Sequence, residues 1–259
     1  MITTLEVGDL PAPQPGGAIV SIGVFDGVHL GHQAILRANL ERARSLGARP
    51  TVVTFRQHPK QVLLGRAPRT LTSLEHRLEL FRRAGVEHTL ALTFDEHLRQ
   101  VPAEEFTRRV LVEALGARAF VLGFDSKFGH DRRGTPELLR CLGLDVEVVG
   151  KVEVGGRAVS STAIREAVEL GDLRSAEGML GRPVSVLGTV VEGDRLGRQL
   201  GFPTANLDLH HELHPPTGVY AGWARVLPPG PRGQAGNGPA TPAVTNIGVR
   251  PTVDGRAPE

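Results

Sequence analysis

Up to Leu180, apolar positions switch repeatedly between two spacings, and the switches predict alternating strands and helices. Ala18 to Phe25 is a short apolar run with Val and Ile, suited to a strand buried on both faces. From His32 to Leu46 the spacing is helical, with Ile35, Leu36, Leu40, Ala43 and Leu46 along one side and Gly47 as the stop. Thr51 to Phe55 predicts a second strand. Thr72 and Glu75 make a capping-box pattern that opens a helix, in which Leu74, Leu78 and Phe81 share a face before Gly85. A strand near Leu90 to Phe94 precedes a helix with Pro102 in its first turn, which buries Phe106, Val110 and Ala114 and ends at Gly116. Phe120 to Leu122 and Val146 to Val149 supply two more strands. Such alternation predicts an α/β fold: a parallel sheet with helices on both faces.

Helical periodicity fades after Leu180-Gly181-Arg182-Pro183. Val-rich runs separated by Gly and Pro take over at Val184 to Val191, Val219 to Val226 and Ala243 to Val249. They predict a second, all-β unit of small-barrel type, so the expected domains are residues 1–183 and 184–259. Pro228 to Pro242, rich in Gly and Pro, reads as a long loop within that unit.

Length and composition add bounds. A chain of 259 residues has room for two domains, and 40% hydrophobic with 22% charged residues is a globular balance. No apolar run approaches the roughly 20 residues that span a bilayer. Met1-Ile2-Thr3-Thr4 lacks the basic and apolar regions of a signal peptide. The expected compartment is therefore the cytoplasm, with no membrane partner. The single Cys141 excludes an internal disulfide and a multi-cysteine zinc site, and predicts a core thiol. The pI near 9.1 comes almost entirely from arginine, since lysine occurs only at Lys60, Lys127 and Lys151. Those arginines are scattered on helical segments among acids, without the lysine and aromatic stripe of a nucleic-acid groove. Nucleic acid is not an expected partner, and oligomeric state is left open.

The densest candidate chemistry is Gly23-Val24-Phe25-Asp26-Gly27-Val28-His29-Leu30-Gly31-His32, at a strand end that leads straight into a helix. Ligands of an open parallel sheet bind beyond the carboxyl ends of its strands. Glycines there let backbone approach a phosphate closely, and a helix N-terminus favours negative charge. His29 and His32 are placed to donate to phosphate oxygens as charge develops. Ser161, Thr162 and Arg165 open another helix after a Gly-rich turn, where hydroxyls, backbone donors and a guanidinium suit a triphosphate.

Gly-Val-His-Leu-Gly-His resembles the His-x-Gly-His signature of nucleotidyltransferases. With its surroundings, it resembles the opening motif of the bacterial bifunctional riboflavin kinase and FMN adenylyltransferase (FAD synthetase) family. Thr54-Phe55 with His58-Pro59 resembles that family's second motif, and Gly123-Phe124-Asp125-Ser126-Lys127-Phe128-Gly129, running on to Arg132, Arg133 and Gly134, its third. Ser160-Ser161-Thr162-Ala163-Ile164-Arg165 resembles the fourth. The resemblance runs in order over nearly the whole chain. It implies adenylyl transfer from ATP to FMN, giving FAD and pyrophosphate. His29, His32 and Arg165 would be catalytic, and Gly23, Phe25, Asp26, Gly27, Gly31, Ser161 and Thr162 would bind ATP or phosphate. His58, Pro59, Asp125 and Phe128 would border the flavin. Magnesium on the triphosphate is expected from the reaction class. Ser126 departs from the residue the family often carries there, which leaves that local contact open.

A second phosphate motif lies in Gly193-Asp194-Arg195-Leu196-Gly197-Arg198-Gln199-Leu200-Gly201-Phe202-Pro203-Thr204-Ala205-Asn206. Glycine-rich backbone can cradle phosphate at Gly193, Gly197 and Arg198, while Thr204 and Asn206 offer hard oxygens to magnesium. The stretch resembles the Pro-Thr-Ala-Asn motif of riboflavin kinases, which phosphorylate riboflavin with ATP to give FMN. Pro216 to Tyr220 and Asn246 to Thr252 also resemble that barrel. In the family, a strand beyond the Arg-Pro-Thr segment carries a glutamate that acts as base. The sequence stops at Glu259, just past that segment, so an incomplete barrel with impaired kinase chemistry is expected, and a shortened sequence is the preferred explanation. Rival readings are a nucleotidyltransferase for another phosphate, a non-catalytic flavin-binding regulator and a tRNA synthetase relative. The barrel motif opposes the first, the intact histidines the second, and the missing lysine-rich second signature the third.

Overall fold

The computed structural model describes residues 1–4, 7–10, 12–13, 15–192, 204–210, 212–227 and 239–248. Six strands form one sheet: β1 (Ile2–Thr4), β2 (Ala18–Ile22), β3 (Arg49–Phe55), β4 (His88–Leu92), β5 (Ala117–Gly123) and β6 (Asp145–Val149). Their order is β1-β4-β3-β2-β5-β6, and every neighbouring pair is parallel. The chain winds outward from β2 through β3 to β4, then crosses back to β5 on the other side of β2. The switch point thus lies between β2 and β5, and in open sheets of this kind ligands bind beyond the carboxyl ends of the strands there.

Side chains alternate across the pleat and meet helices on both faces. Ile19, Val52, Ala91, Ala119 and Val121 pack beneath α1 (Leu30–Leu46) and α3 (Leu74–Ala84), through Leu36, Ala43, Leu78 and Phe81. Val20, Ile22, Val53, Leu90, Phe120 and Leu122 face the opposite way, against Phe106, Leu111, Leu115 and Leu139. Helix α2 (Lys60–Leu64) follows β3, and α4 (Glu96–Gln100) follows β4. Helix α5 (Ala103–Phe106) continues through Thr107–Ala114 with π winding. The wider turn changes which residues face inward. A regular helix would bury Phe106, Val110 and Ala114, but the π stretch buries Phe106, Leu111 and Leu115 instead.

Two further expectations are corrected. Cys141 is exposed, because α6 (Pro136–Cys141) buries Pro136 and Leu139 and turns its last residue outward. The N-cap of α3 is Ser73, whose hydroxyl accepts from the His76 N–H (3.3 Å), while the Thr72 hydroxyl is used elsewhere.

Beyond the sheet, the hairpin β7 (Glu153–Val154) with β8 (Arg157–Ala158) leads into α7 (Ser161–Glu169) and α8 (Leu173–Leu180). Ile164, Val168, Ala176 and Met179 of these helices form an apolar cluster with Leu71 and Leu213. The strand-rich part follows as two antiparallel pairs, β9 (Thr189–Val191) with β10 (Asn206–Asp208) and β11 (Gly218–Ala224) with β12 (Thr241–Ile247). Among the described residues these strands do not close into a barrel. The first half of the run predicted from Val184 is not strand, since Ser185 and Leu187 bond to His76 and Glu212 instead. Most of Pro228 to Pro242, and the segment around Arg250-Pro251-Thr252, lie outside the described residues.

Candidate active site

The Gly23–His32 turn leaves the carboxyl end of β2, beside the switch point. Its backbone is unusual: Phe25 (φ 54°) and Val28 (φ 40°) occupy the left-handed region, where a β-branched valine is an outlier. Surrounding bonds hold it there. Val28 O accepts from Gln33 Nε2 (2.9 Å) and Arg182 Nη1 (3.1 Å), and Gly27 O accepts from Arg182 Nη2 (2.7 Å). Gly27 itself has φ 81°, and a Cβ there would lie 2.7 Å from Leu71 Cδ1, so glycine is required twice over.

Asp26 is buried and ties three segments together. Its carboxylate accepts from the Leu71 N–H (3.1 Å), the Thr72 N–H (3.0 Å), the Thr72 hydroxyl (3.2 Å) and Arg165 Nη2 (2.7 Å). Thr72 Oγ1 also accepts from the Gly27 N–H (3.0 Å), and the Ser161 hydroxyl donates to Asp26 O (2.9 Å). The fourth motif, at the N-terminus of α7, is thereby brought onto the first. Ser160 caps α7 by accepting from the Ala163 N–H (3.2 Å), and Thr162 is exposed beside it.

His29 is the N-cap of α1, with Nδ1 accepting from the His32 N–H (3.3 Å), which puts the imidazole proton on Nε2. The two rings stack at a centroid distance of 3.6 Å and 16° between planes. A Cβ on Gly31 would come within 3.2 Å of the His29 ring, so that close approach also depends on glycine. Burial lowers the His29 pKa from 6.5 to about 4, and the Arg182 and Arg165 charges act in the same direction against the opposing pull of Asp26. Burial, with His29 and Arg77 nearby, holds His32 well below 6.5. Both imidazoles are neutral at pH 7. Buried His32 Nδ1 has no hydrogen-bond partner among the described residues.

His58 and Pro59 stand at the carboxyl end of β3, close enough to Asp26 and Arg165 to feel their charges, although burial is the main cause of the lowered His58 pKa. Asp125 is exposed just past β5, on the same edge of the sheet. Phe128 is not: its ring packs in the core against Phe106 at a 6.0 Å centroid distance, while Phe124 is 55% exposed. Thr204 is exposed and Asn206 pairs with Val191 in β10. Gly193, Gly197 and Arg198 lie outside the described residues.

Two arginines escaped the sequence reading. Arg77, on α3, donates from Nη1 to Val24 O (2.5 Å) and from Nη2 to Phe55 O (2.8 Å), clamping the exits of β2 and β3 together. Arg182 clamps the Gly27–Val28 turn, and burial lowers its pKa to about 10. A run in which arginine is the common base gave no signal for either. Only the place of Arg182 where helical periodicity fades along the sequence set it apart.

A six-stranded parallel sheet flanked by helices, with a glycine-rich, two-histidine turn at its switch point, has the architecture of a nucleotidyltransferase-like domain. Comparison with known proteins agrees. The FAD synthetase family model matches residues 12–163, and the riboflavin kinase model matches residues 180–259. The chain belongs to the bifunctional riboflavin kinase/FMN adenylyltransferase family, enzymes of flavin-nucleotide biosynthesis. A relative of that name from Pseudomonas fluorescens is 41% identical over 257 residues, covering 95% of this chain and 78% of the relative. One from Escherichia coli K12 is 37% identical, covering 94% and 76%, and one from Bacillus subtilis is 33% identical, covering 93% and 75%. A solved structure called a macrolide-efflux protein, from Streptococcus pneumoniae, superposes with a TM-score of 0.79 at 31% identity, over 98% of this chain and 80% of its own. Among the described residues no helix is long and apolar enough to cross a membrane.

Proposed function

We propose that the Gly23–His32 turn catalyses adenylyl transfer from ATP to FMN. An FMN phosphate oxygen attacks the α-phosphorus of ATP, the bond from that phosphorus to the bridging oxygen breaks, and pyrophosphate leaves. The reaction needs charge neutralised and reactants aligned, more than covalent help from the protein. His29 donates through Nε2, and His32 stacks on it to fix the ring. Arg165 is held by Asp26 and by Arg69 O (Nε, 2.9 Å), which keeps a positive charge beside the turn. The Ser161 hydroxyl is committed to Asp26 O, so phosphate falls to the free amides at the start of α7 and to Thr162. The bonds to Asp26 make it a group that holds the loop; Gly23, Phe25, Gly27 and Gly31 shape the same loop.

Flavin would lie along the sheet edge toward His58, Pro59 and Asp125. With the Phe128 ring in the core, exposed Phe124 offers the aromatic face. The strand-rich region would phosphorylate riboflavin, with Gly193, Gly197 and Arg198 as phosphate contacts. Thr204 Oγ1 and the Asn206 side-chain oxygen, neutral and hard, are of the donor type that would hold a magnesium ion on the nucleotide phosphates. No cluster of three or more His, Cys, Asp or Glu among the described residues offers a metal site independent of nucleotide. Magnesium would supply charge neutralisation on the triphosphate. Soluble flavin nucleotides and ATP in the cytoplasm are the proposed partners.

The carrying observation is the convergence of the first and fourth motifs on Asp26. The test is chromatography of products from Mg-ATP with riboflavin, FMN, phosphopantetheine or nicotinamide mononucleotide, each supplied alone. FAD from FMN is expected. Adenylylation of another acceptor in preference to FMN would overturn the substrate assignment, and FMN from riboflavin would establish the kinase activity.

A further inference from the structure

The strap from Arg69 to Ser73 uses its backbone in strict succession. Arg69 O accepts from Arg165 Nε (2.9 Å), and Thr70 O accepts from the Leu213 N–H (2.8 Å). The Leu71 and Thr72 amides donate to Asp26, and the Ser73 amide donates to Glu212 Oε1 (2.6 Å). Three consecutive amides are thus divided between two carboxylates, one from each domain.

Glu212 is 2% exposed, and its other bonds run to α3 and to the segment after Arg182. His76 Nδ1 lies 3.1 Å from both carboxylate oxygens; a carboxylate only accepts, so Nδ1 carries the proton. His76 Nε2 is hydrogen-bonded to the Ser185 hydroxyl (3.2 Å), and the Leu187 amide donates to Glu212 Oε2 (2.9 Å). Thr70 and Glu212 also form a parallel bridge, and Leu213 fills the cluster of Leu71, α7 and α8. The next residue on α3 after His76 is Arg77, which clamps β2 to β3 at the site. From Glu212 the path to the His29 turn runs through the Ser73 amide (2.6 Å), along the backbone to Thr72, and from the Thr72 hydroxyl and amide to Gly27 and Asp26 (3.0 Å each).

We propose that Glu212 is a positioning residue for adenylyl transfer: the second domain's carboxylate fixes the Arg69–Ser73 strap, and the strap fixes Asp26, Gly27 and the turn that carries His29. The phosphate site of one domain is therefore completed by a side chain of the other. This rests on the adenylyl transfer assigned above to that turn. A carboxylate that only fastened two domains would affect stability and leave turnover per folded molecule alone. One that positions the turn changes the alignment of reacting groups, where a shift of about 1 Å can cost on the order of a hundredfold in rate.

The test uses the full chain with Glu212→Gln, which keeps shape and one acceptor, and Glu212→Ala. FAD formation is measured at a temperature where circular dichroism shows each variant folded, and amide exchange is followed at Gly27, Leu71 and Thr72. The expected result is a fall in kcat per folded molecule of about tenfold or more, with KM for FMN within about threefold, and faster exchange at Gly27. Adding Thr72→Ala to Glu212→Gln should cost little further, because both act through the same strap. Wild-type kcat in folded Glu212→Gln, or unchanged exchange at Gly27, would overturn the proposal. Should Glu212→Ala fail to fold, Glu212→Gln carries the same readouts. If the wild-type chain makes no FAD, the assigned activity fails, and exchange at Gly27 still decides the positioning.

Discussion

The parallel sheet and the strand pairs after Arg182 share the same pleat but treat their apolar residues in opposite ways. All five residues of β2 are buried, with a helix over each face. In β11 and β12, Val219, Trp223 and Val244 are 71%, 72% and 77% exposed. A sheet covered on both faces can hold an outlier such as Val28 at its edge, because Arg182, Gln33 and the buried core leave the turn nowhere to relax. A two-stranded ribbon has no such support, since an isolated hairpin is marginal in water. The strand-rich region meets the rest at Glu212, Leu213 and Ser185, which contact the start of α3 and the apolar cluster of Leu71 with α7 and α8.

The contrast gives predictions in descending size. His29→Ala should lower FAD formation by about a hundredfold or more, by analogy with removing one preorganised donor, at a stability cost of about 1 kcal/mol for the lost cap. Steady-state kinetics beside a thermal melt checks both halves. Asp26→Ala leaves Arg165 as a nearly buried charge without its carboxylate, and should cost about 3 kcal/mol or more in denaturant unfolding.

Acid should reach the first region before the second. The His29 pKa is about 4 in the folded chain and 6.5 as its ordinary value, so between these values the unfolded state binds more protons and stability rises with pH. Stability should fall as pH drops from about 7 to 4, by at most about 3 kcal/mol from His29, and His29→Asn should flatten that slope. For Glu212, burial pushes the carboxyl up, but the bonds from His76 and Ser73 outweigh it and leave it below 4.5. Its contribution is present above that value and is lost only as pH falls through the depressed one. Smallest of all, Trp223→Ser should change stability by less than about 0.5 kcal/mol, since the side chain is largely in water. A loss of 2 kcal/mol or more would mean that the β11–β12 face is covered in solution, and would erase the contrast.

Much of this was legible in the sequence because burial on two faces leaves long apolar runs. The strands from Ala18, Thr51, Leu90, Phe120 and Val146, and the helices stopped by Gly47 and Gly85, sit where spacing puts them, within a few residues. The three-residue β1 was too short to leave a period, and the π winding at Thr107–Ala114 shifted a face that regular spacing would have set. At the site, glycine and histidine spacing pointed to Gly23–His32 and Ser161–Arg165 without revealing that they share Asp26. Arg77, Arg182 and Glu212 act through bonds to groups far away in sequence, and such bonds leave no pattern along a chain. Phe128 looked like Phe124 in sequence; only packing separates the buried ring from the exposed one.

The most direct test of the account is product stoichiometry in one reaction: the wild-type chain with FMN and Mg-ATP, followed for FAD and pyrophosphate together. The account predicts equal amounts of both, accumulating until the limiting substrate is consumed. A folded chain that binds FMN but releases neither product, or releases inorganic phosphate in place of pyrophosphate, would contradict it.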